Sequence, residues 1–287
     1  MKGNIMNTMR YLALALLLAP MALVKATGYL AGDCYANSCG FAPFECGAVN
    51  FEIKAGVAPK IWTDRDRFLG VAPQVAAPRG PFVDLVRIPR FNCLHKLPWT
   101  VGFRLGWMGA CNTEVFFEFD YTQADSRNFT FTVPLTGTLS DTVTVCGGNK
   151  FKEFAGYLGT RYYLDRWFCN TTAWFVGSKL GVSHHRERCT SFTSETPNIP
   201  TFASPTFTIF DKYTSVSGGI HTGFDVRLWC GFSFVFTAEV VATCGPKGNQ
   251  NTVFNPPVPG LGITNWSIGS VGTEVTFPVT FGLAYSF

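Results

Sequence analysis

Charge is what this chain has least of. Lys, Arg, Asp and Glu make up 15% of its 287 residues, where a soluble domain carries roughly 25%. Its 23 bases and 19 acids leave a formal charge of +4 with no basic block. That excludes the footprint of a nucleic-acid binder, and no nucleic-acid partner is expected. Long apolar runs are missing as well. A membrane-spanning helix needs about 20 consecutive apolar residues, and beyond residue 24 no stretch approaches that. Cys34 and Cys39 stand five apart without a second close pair, so the ligand spacing of a zinc site is absent. Neither a metal nor another cofactor is expected. Aromatics, by contrast, reach 15%, with 28 Phe, which is too apolar for a disordered chain. What remains is an all-β protein, either soluble or a membrane barrel.

The first residues read as an address. Lys2 and Arg10 precede an apolar stretch from Tyr11 to Val24, and small residues follow at Ala26 and Thr27. This is the pattern of a secretory signal peptide, here residues 1–26. All ten cysteines lie beyond it, so the mature chain meets an oxidising compartment with an even number of thiols.

A period of two then marks eight segments, at 49–61, 98–108, 113–122, 153–163, 173–185, 214–228, 232–243 and 273–287. In the second, Trp99, Val101, Phe103, Leu105 and Trp107 alternate with Thr100, Gly102, Arg104, Gly106 and Met108. Segments of about ten residues suit a tilted strand crossing the hydrocarbon layer. Their charges share one parity. Eight acids (Glu52, Glu114, Glu118, Asp120, Glu153, Asp225, Glu239, Glu274) and six bases (Lys54, Lys60, Arg104, Arg161, Lys179, Arg227) all fall opposite the large apolar residues. Arg186, just past the fifth segment, is the first exception. A soluble sandwich also separates its faces, but here the second face mixes Gly, Ser and Thr with charges of both signs. That composition suits a crowded polar lumen.

The connections are about 36, 4, 30, 9, 28, 3 and 29 residues long. Long and short alternate strictly, as the outer loops and periplasmic turns of an outer-membrane barrel do. Soluble domains seldom keep such long connections. The expected fold is a transmembrane antiparallel up-and-down β-barrel of eight strands over residues 49–287, after a cysteine-bearing periplasmic extension at 27–48. Phe129–Val133 and Thr142–Val145 also alternate. They are short for a crossing and read as a hairpin outside the membrane; as crossings they would make ten strands. Trp99, Tyr121 and Tyr213 at one end, and Trp107, Trp229 and Tyr285 at the other, suit two interfacial aromatic girdles.

The chain ends FPVTFGLAYSF, with Phe281, Leu283, Tyr285 and Phe287 regularly spaced. This resembles the C-terminal signature of Gram-negative outer-membrane β-barrel proteins. The resemblance implies that the assembly machinery of that membrane recognises this strand, and that outer-membrane lipid surrounds it. The plan as a whole looks like the small eight-stranded barrels with large surface loops. The cysteine-rich stretch Asp33-Cys34…Cys39…Cys46 running into Val49–Ile61 is similar to the major outer membrane proteins of the chlamydial group. That likeness implies a porin with more strands.

On such a barrel the cysteines sort by side. Cys34, Cys39, Cys46, Cys111, Cys169 and Cys230 fall on the periplasmic side, and Cys93, Cys146, Cys189 and Cys244 fall one in each long loop. The outer four are expected to staple the loops, each bridge contributing about 3–4 kcal/mol by restricting the unfolded chain. The inner six are expected to tie the extension to the turns or to neighbouring envelope proteins. Eight strands leave an interior that side chains nearly fill, here with Arg104, Glu118, Asp120, Glu153, Arg161, Lys179, Asp225, Arg227 and Glu239. Opposite charges in a dry lumen pair rather than conduct. The function expected is therefore structural and surface-interacting, with a porin as the rival. An outer-membrane enzyme is the third reading. His184 and His185 adjoin Arg186, Glu187 and Arg188, and His221 precedes Asp225, but no serine motif accompanies them; no enzyme activity is expected.

Overall fold

The computed structural model describes residues 47–63, 68–71, 95–110, 112–134, 140–167, 171–195, 202–203, 207–229, 231–245, 250–258, 263–268 and 273–287. Residues 1–26, expected as a signal peptide, most of the expected extension at 27–48, and Cys34, Cys39, Cys46, Cys93, Cys111, Cys169 and Cys230 lie outside them. In chain order the strands are β1 (Val49–Val57), β2 (Lys60–Thr63), β3 (Phe68–Val71), β4 (Trp99–Ala110), β5 (Thr113–Ala124) and β6 (Phe129–Pro134). There follow β7 (Ser140–Gly147), β8 (Phe151–Trp167), β9 (Thr172–His185), β10 (Arg188–Glu195), β11 (Phe202–Ala203) and β12 (Phe207–Phe210). The last are β13 (Tyr213–Trp229), β14 (Phe232–Thr243), β15 (Gln250–Val258), β16 (Ile263–Ile268), β17 (Glu274–Thr276) and β18 (Val279–Ser286).

Eight walls close into a ring. Their order is β13-β9-β8-β5-β4-β1-β18-β14, and the pairing of β14 with β13 completes the circle. Every neighbouring pair is antiparallel. β2 prolongs β1, and β17 precedes β18 in the same wall. Each wall is broken at a proline, Pro59 or Pro278, which has no amide to donate and is tolerated where pairing is irregular. The carbonyls there are still used: the Phe277 amide donates to Pro59 O and the Glu239 amide to Pro278 O, both at 2.9 Å. The eight expected segments match the eight walls to within a few residues. The greater strand number implied by the chlamydial likeness is not found; residues 33–46, which carried that likeness, lie outside the described residues.

The alternating Thr and Val positions of the long connections also form sheets. β6 and β7 make the expected hairpin, outside the ring, and β7 continues onto β10, which pairs β11 and β12. A second outer sheet joins β15, β16 and β3. Both are built from the segments that follow the long-loop end of the barrel.

Burial is inverted relative to a soluble protein. Leu158, Ile220 and Leu180 are about two-thirds exposed, and Ile53, Leu105, Trp107, Phe117, Phe281 and Leu283 belong to the same outward band. Arg104 and Glu118, across the wall from them, are 1% and 0% exposed. An apolar band encircling the whole ring far exceeds the patches a soluble monomer shows, so this band is solvated by lipid. No helix among the described residues is long and apolar enough to span a bilayer; the chain crosses with strands.

At the long-loop end Trp99 meets Tyr121 edge-on at 5.6 Å, with Phe154 4.9 Å from Tyr121. At the short-turn end Trp107 is exposed and Tyr285 packs on Phe232 at 4.8 Å. These are the two girdles. Tyr213 does not join them. It pairs in register with His185, which faces the lumen, and stacks on that ring at 4.5 Å. The Trp229 side chain lies outside the description.

Glycines on the lumen side make room for large groups on the neighbouring walls. Gly106 faces Glu114, Gly159 faces Phe116, and Gly177 stands against the Thr160 carbonyl and the His221 ring. A Cβ added at Gly177 would lie closer than 3 Å to both. The Gly177→Ala variant is therefore expected to lose about 1–3 kcal/mol through overpacking, read as a lower urea midpoint of the barrel folded in lipid vesicles.

Candidate functional site: the ionic interior and its outer mouth

Two ionic layers fill the barrel. The central one is organised by the register, which sets acids against bases on adjacent walls: Glu52 opposite Arg104, Arg104 opposite Glu118, and Glu114 opposite Arg161. The Arg104 Nε donates to Glu118 at 2.8 Å, its Nη1 donates to Glu52 at 2.9 Å, and its Nη2 pairs with Glu118 again. The guanidinium lies 4.3 Å from the Phe116 ring centroid. Arg161 donates to Glu52 at 3.0 Å, sits 3.6 Å from Glu114 and stacks 4.2 Å over Phe175. From the other side, Lys54 reaches Glu118 at 3.0 Å and Asp120 at 2.9 Å, with Glu239 at 3.6 Å. Lys179 contacts Glu118 at 2.5 Å and Asp120 at 3.6 Å, and pairs with Glu239. Glu118 thus faces three cations at once.

Beneath this layer apolar side chains predominate, with Asp225 buried beside them. Met108, Tyr163, Ala173, Phe175, Val235 and Ala284 pack together towards the short-turn end. Polar links tie the two levels: Asn50 donates to Glu114 at 3.0 Å, and the Ser286 hydroxyl donates to Asn50 at 2.6 Å.

The second ionic layer lies at the long-loop mouth and centres on a phenyl ring. Lys60 and Arg188 stand 4.4 and 4.9 Å from the Phe151 centroid, while His95 and His185 lie 6.0 and 6.1 Å from it. Lys60 pairs with Glu274 and lies 3.9 Å from Glu153; Arg188 donates to Glu274 at 3.1 Å. Arg188 opens β10, a strand of the outer sheet, so this ion pair fastens that sheet to the barrel. Burial, reinforced by Arg188 and Lys60, pushes His95 down to about 3. It stays neutral in the fold while an unfolded chain would take up a proton below about 6.5. Its share of stability is therefore complete above that value and lost as pH falls towards 3.

Of the expected lumen charges, Arg104, Glu118, Asp120, Arg161, Lys179 and Glu239 meet in the central layer, and Glu153 joins the mouth. Asp225 and Arg227 face inward but stand apart. The positions opposite Asp225 are Ala173 and Val235, so no base is offered to it, and it is buried without an ion pair among the described residues. Arg227 is half-exposed at the short-turn end and also forms no ion pair among them. Arg186 points outward, and Arg188 takes the inward place. The mouth cluster was not visible as a pattern, since Lys60, His95, Phe151, the near neighbours His185 and Arg188, and Glu274 come from five separate places in the chain; only the shared parity of Lys60, Glu153 and Glu274 hinted at it.

Cys189 and Cys244 carry free thiols, with Cys189 Sγ 3.8 Å from Thr208 Oγ1. Cys146 lies on β7 opposite Ser191 of β10; its side chain is outside the description. His221 is buried against Phe116 and Phe175, at 5.6 and 6.0 Å. His184 faces outward and shares a 2.9 Å hydrogen bond with Thr214. Phe281, Leu283, Tyr285 and Phe287 all point into the lipid band.

No family model matches the chain, and no curated protein sequence does either. Solved structures align with it over most of their length. Neisserial surface protein A is 10% identical, covering 84% of this chain and 99% of its own, with a TM-score of 0.39. Ail, the attachment invasion locus protein of Yersinia pestis, is 11% identical over 85% of this chain and 100% of its own, at 0.36. The outer membrane protein OprG from Pseudomonas aeruginosa is 14% identical over 87% and 99%, at 0.39. At these values the likeness transfers no activity. The barrel stands on its own pairings and burial.

Taking away one member of a buried ionic cluster leaves its partners uncompensated, at a cost of about 3–5 kcal/mol. Arg104→Met is expected to destabilise the barrel by that amount in urea titrations, and adding Glu118→Gln to recover part of the loss.

Proposed function

We propose that this chain is an integral protein of a bacterial outer membrane. In this reading its barrel is a closed anchor, and its role, structural and surface-interacting, is carried by the sheets at the long-loop end. The observation behind it is the state of the interior. Lys54, Arg104, Arg161 and Lys179 reach across the lumen to carboxylates on other walls, and all four are nearly sealed from solvent. A conducting pore needs a continuous wet path, and an eight-stranded ring leaves space only for its own side chains. The side chains packed below this cluster, Met108, Tyr163 and Phe175 with Asp225 buried near them, add a second barrier to ions. The reading includes no catalytic role: His221 sits among phenyl rings, and His184 meets a threonine on the lipid side.

Planar bilayer recordings test it. Purified protein is expected to give no stable conductance steps, and frequent, stable steps would overturn the closed anchor in favour of a porin.

The same reading assigns the last strand to assembly. β18 pairs both β1 and β14, so it seals the ring, while Phe281, Leu283, Tyr285 and Phe287 stay outward and available to the membrane's assembly machinery. Phe287→Ala is expected to lower the amount of folded barrel in the outer membrane several-fold without changing its stability once folded. Unchanged membrane levels would remove this assignment.

A further inference from the structure

Three cations stand side by side on the lipid-facing surface at the long-loop end. The Arg186 amide donates to the Lys152 carbonyl at 3.1 Å, one step beyond the pairs Glu153–His185 and Phe154–His184. Lys212 follows on the next wall, one step beyond Tyr213–His185. Alternation along β8 gives Lys152 the outward side, that of Phe154 and Leu158; Arg186 and Lys212, each one residue beyond its strand and exposed, continue the outward side of His184 and Thr214, whereas Glu153 and His185 turn into the lumen. Arg186 and Lys212 are exposed and Lys152 is half-buried.

Neighbouring strands lie about 4.8 Å apart, and like charges placed directly opposite repel. Among the described residues no carboxylate comes within 4 Å of any of the three. The nearby acids Glu187 and Asp211 are exposed, and Asp125 is taken by Lys150 at 3.1 Å. Inside the barrel, by contrast, Lys54, Arg104, Arg161 and Lys179 are each answered by at least one acid. A row of three unanswered cations at this depth calls for an anion from outside.

The surface directly below the row describes what that anion is attached to. The next residues down are Tyr121, Phe154, His184 and Thr214, which lie in register across four walls. Aromatic residues at this level mark the boundary between headgroups and hydrocarbon. Below them come Phe119, Gly156, Val182 and Val216, then Phe117, Leu158 and Leu180. The space where a Gly156 side chain would stand is open, with nothing within 4 Å. This leaves a notch in the wall between Phe154 and Leu158, and between Phe119 and Val182.

We infer that Lys152, Arg186 and Lys212 bind the phosphorylated headgroup of a lipid in the leaflet on the long-loop side. Its acyl chain runs down the notch at Gly156 along Leu158, Leu180 and Val182. Arg and Lys are the side chains that hold phosphate, the first by paired hydrogen bonds and the second as a point charge. His184, held by Thr214, lies at the level where the headgroup meets the chain. The inference rests on the barrel being embedded as proposed above, but not on its lumen being closed; conductance steps would sink that reading and leave this one standing.

The test is native mass spectrometry on the whole barrel in an uncharged detergent. The probes are phosphatidic acid, phosphatidylglycerol and phosphatidylcholine with the same acyl chains, with inorganic phosphate as competitor. Phosphatidic acid is expected to be retained at least ten-fold better than phosphatidylcholine, with phosphatidylglycerol between them. The preference should vanish in Lys152→Gln/Arg186→Gln/Lys212→Gln and persist in Lys96→Gln/Arg127→Gln, which removes two exposed cations of the same rim and leaves Asp125 paired with Lys150. Heat-modifiable gel migration confirms that each variant is folded; if the triple variant is not, Arg186→Gln alone is read and should lose the preference several-fold. Equal retention of the zwitterionic lipid, or a preference untouched by the row variants, overturns the site. Displacement of the lipid by inorganic phosphate at equal concentration overturns the lipid assignment and makes a free anion the ligand.

Discussion

Charges sealed inside a ring of strands, with hydrocarbon outside, have no water to turn to. Every other feature of this barrel follows from how that constraint is met. The central cluster meets it by geometry: Glu118 faces Arg104, Lys54 and Lys179, and Glu52 faces Arg104 and Arg161. Such clusters are weak sources of net stability, because desolvation offsets most of the attraction. Their effect is on specificity. A one-residue slip between two walls would turn the charges out into lipid and the Phe and Leu residues into the lumen, so the network fixes the register.

The same constraint explains where glycine, phenylalanine and the arginines sit. Arg104 and Arg161 are flanked by Phe116 and Phe175, whose ring faces carry partial negative charge and replace part of the lost hydration. Those rings need space, and Gly159 beside Phe116 and Gly223 beside Phe175, each on a neighbouring wall, leave it. At the mouth Phe151 plays the corresponding part between Lys60 and Arg188. There the network also leaves the membrane, since Arg188 belongs to the outer sheet. The loops are thus anchored by the same kind of interaction that fills the barrel.

Much of this was legible in residue order. Strict alternation located the eight walls, because a strand between lipid and a polar lumen must change character at every residue. The parity of Arg104, Glu118 and Lys179 placed them inside, and the long and short connections put both ends on one side. Other features resisted for specific reasons. Asp225 has the parity of the network yet forms no ion pair among the described residues, because the walls beside it offer Ala173 and Val235. Tyr213 reads as a girdle residue from its position at a strand end, and only its register with His185 turns it inward. The Thr-rich connections form sheets of their own through pairings between loops far apart in the chain.

What the sequence by itself determined is therefore everything with a local period: the strands, their two faces and the rhythm of the connections. The tertiary structure decided which acid answers which base, which aromatic ring lies under which cation, and that Lys152, Arg186 and Lys212 form a row. The physical reason is that a strand's alternation is written in neighbouring residues, whereas ion pairing depends on the register between walls, and register exists only once the ring has closed.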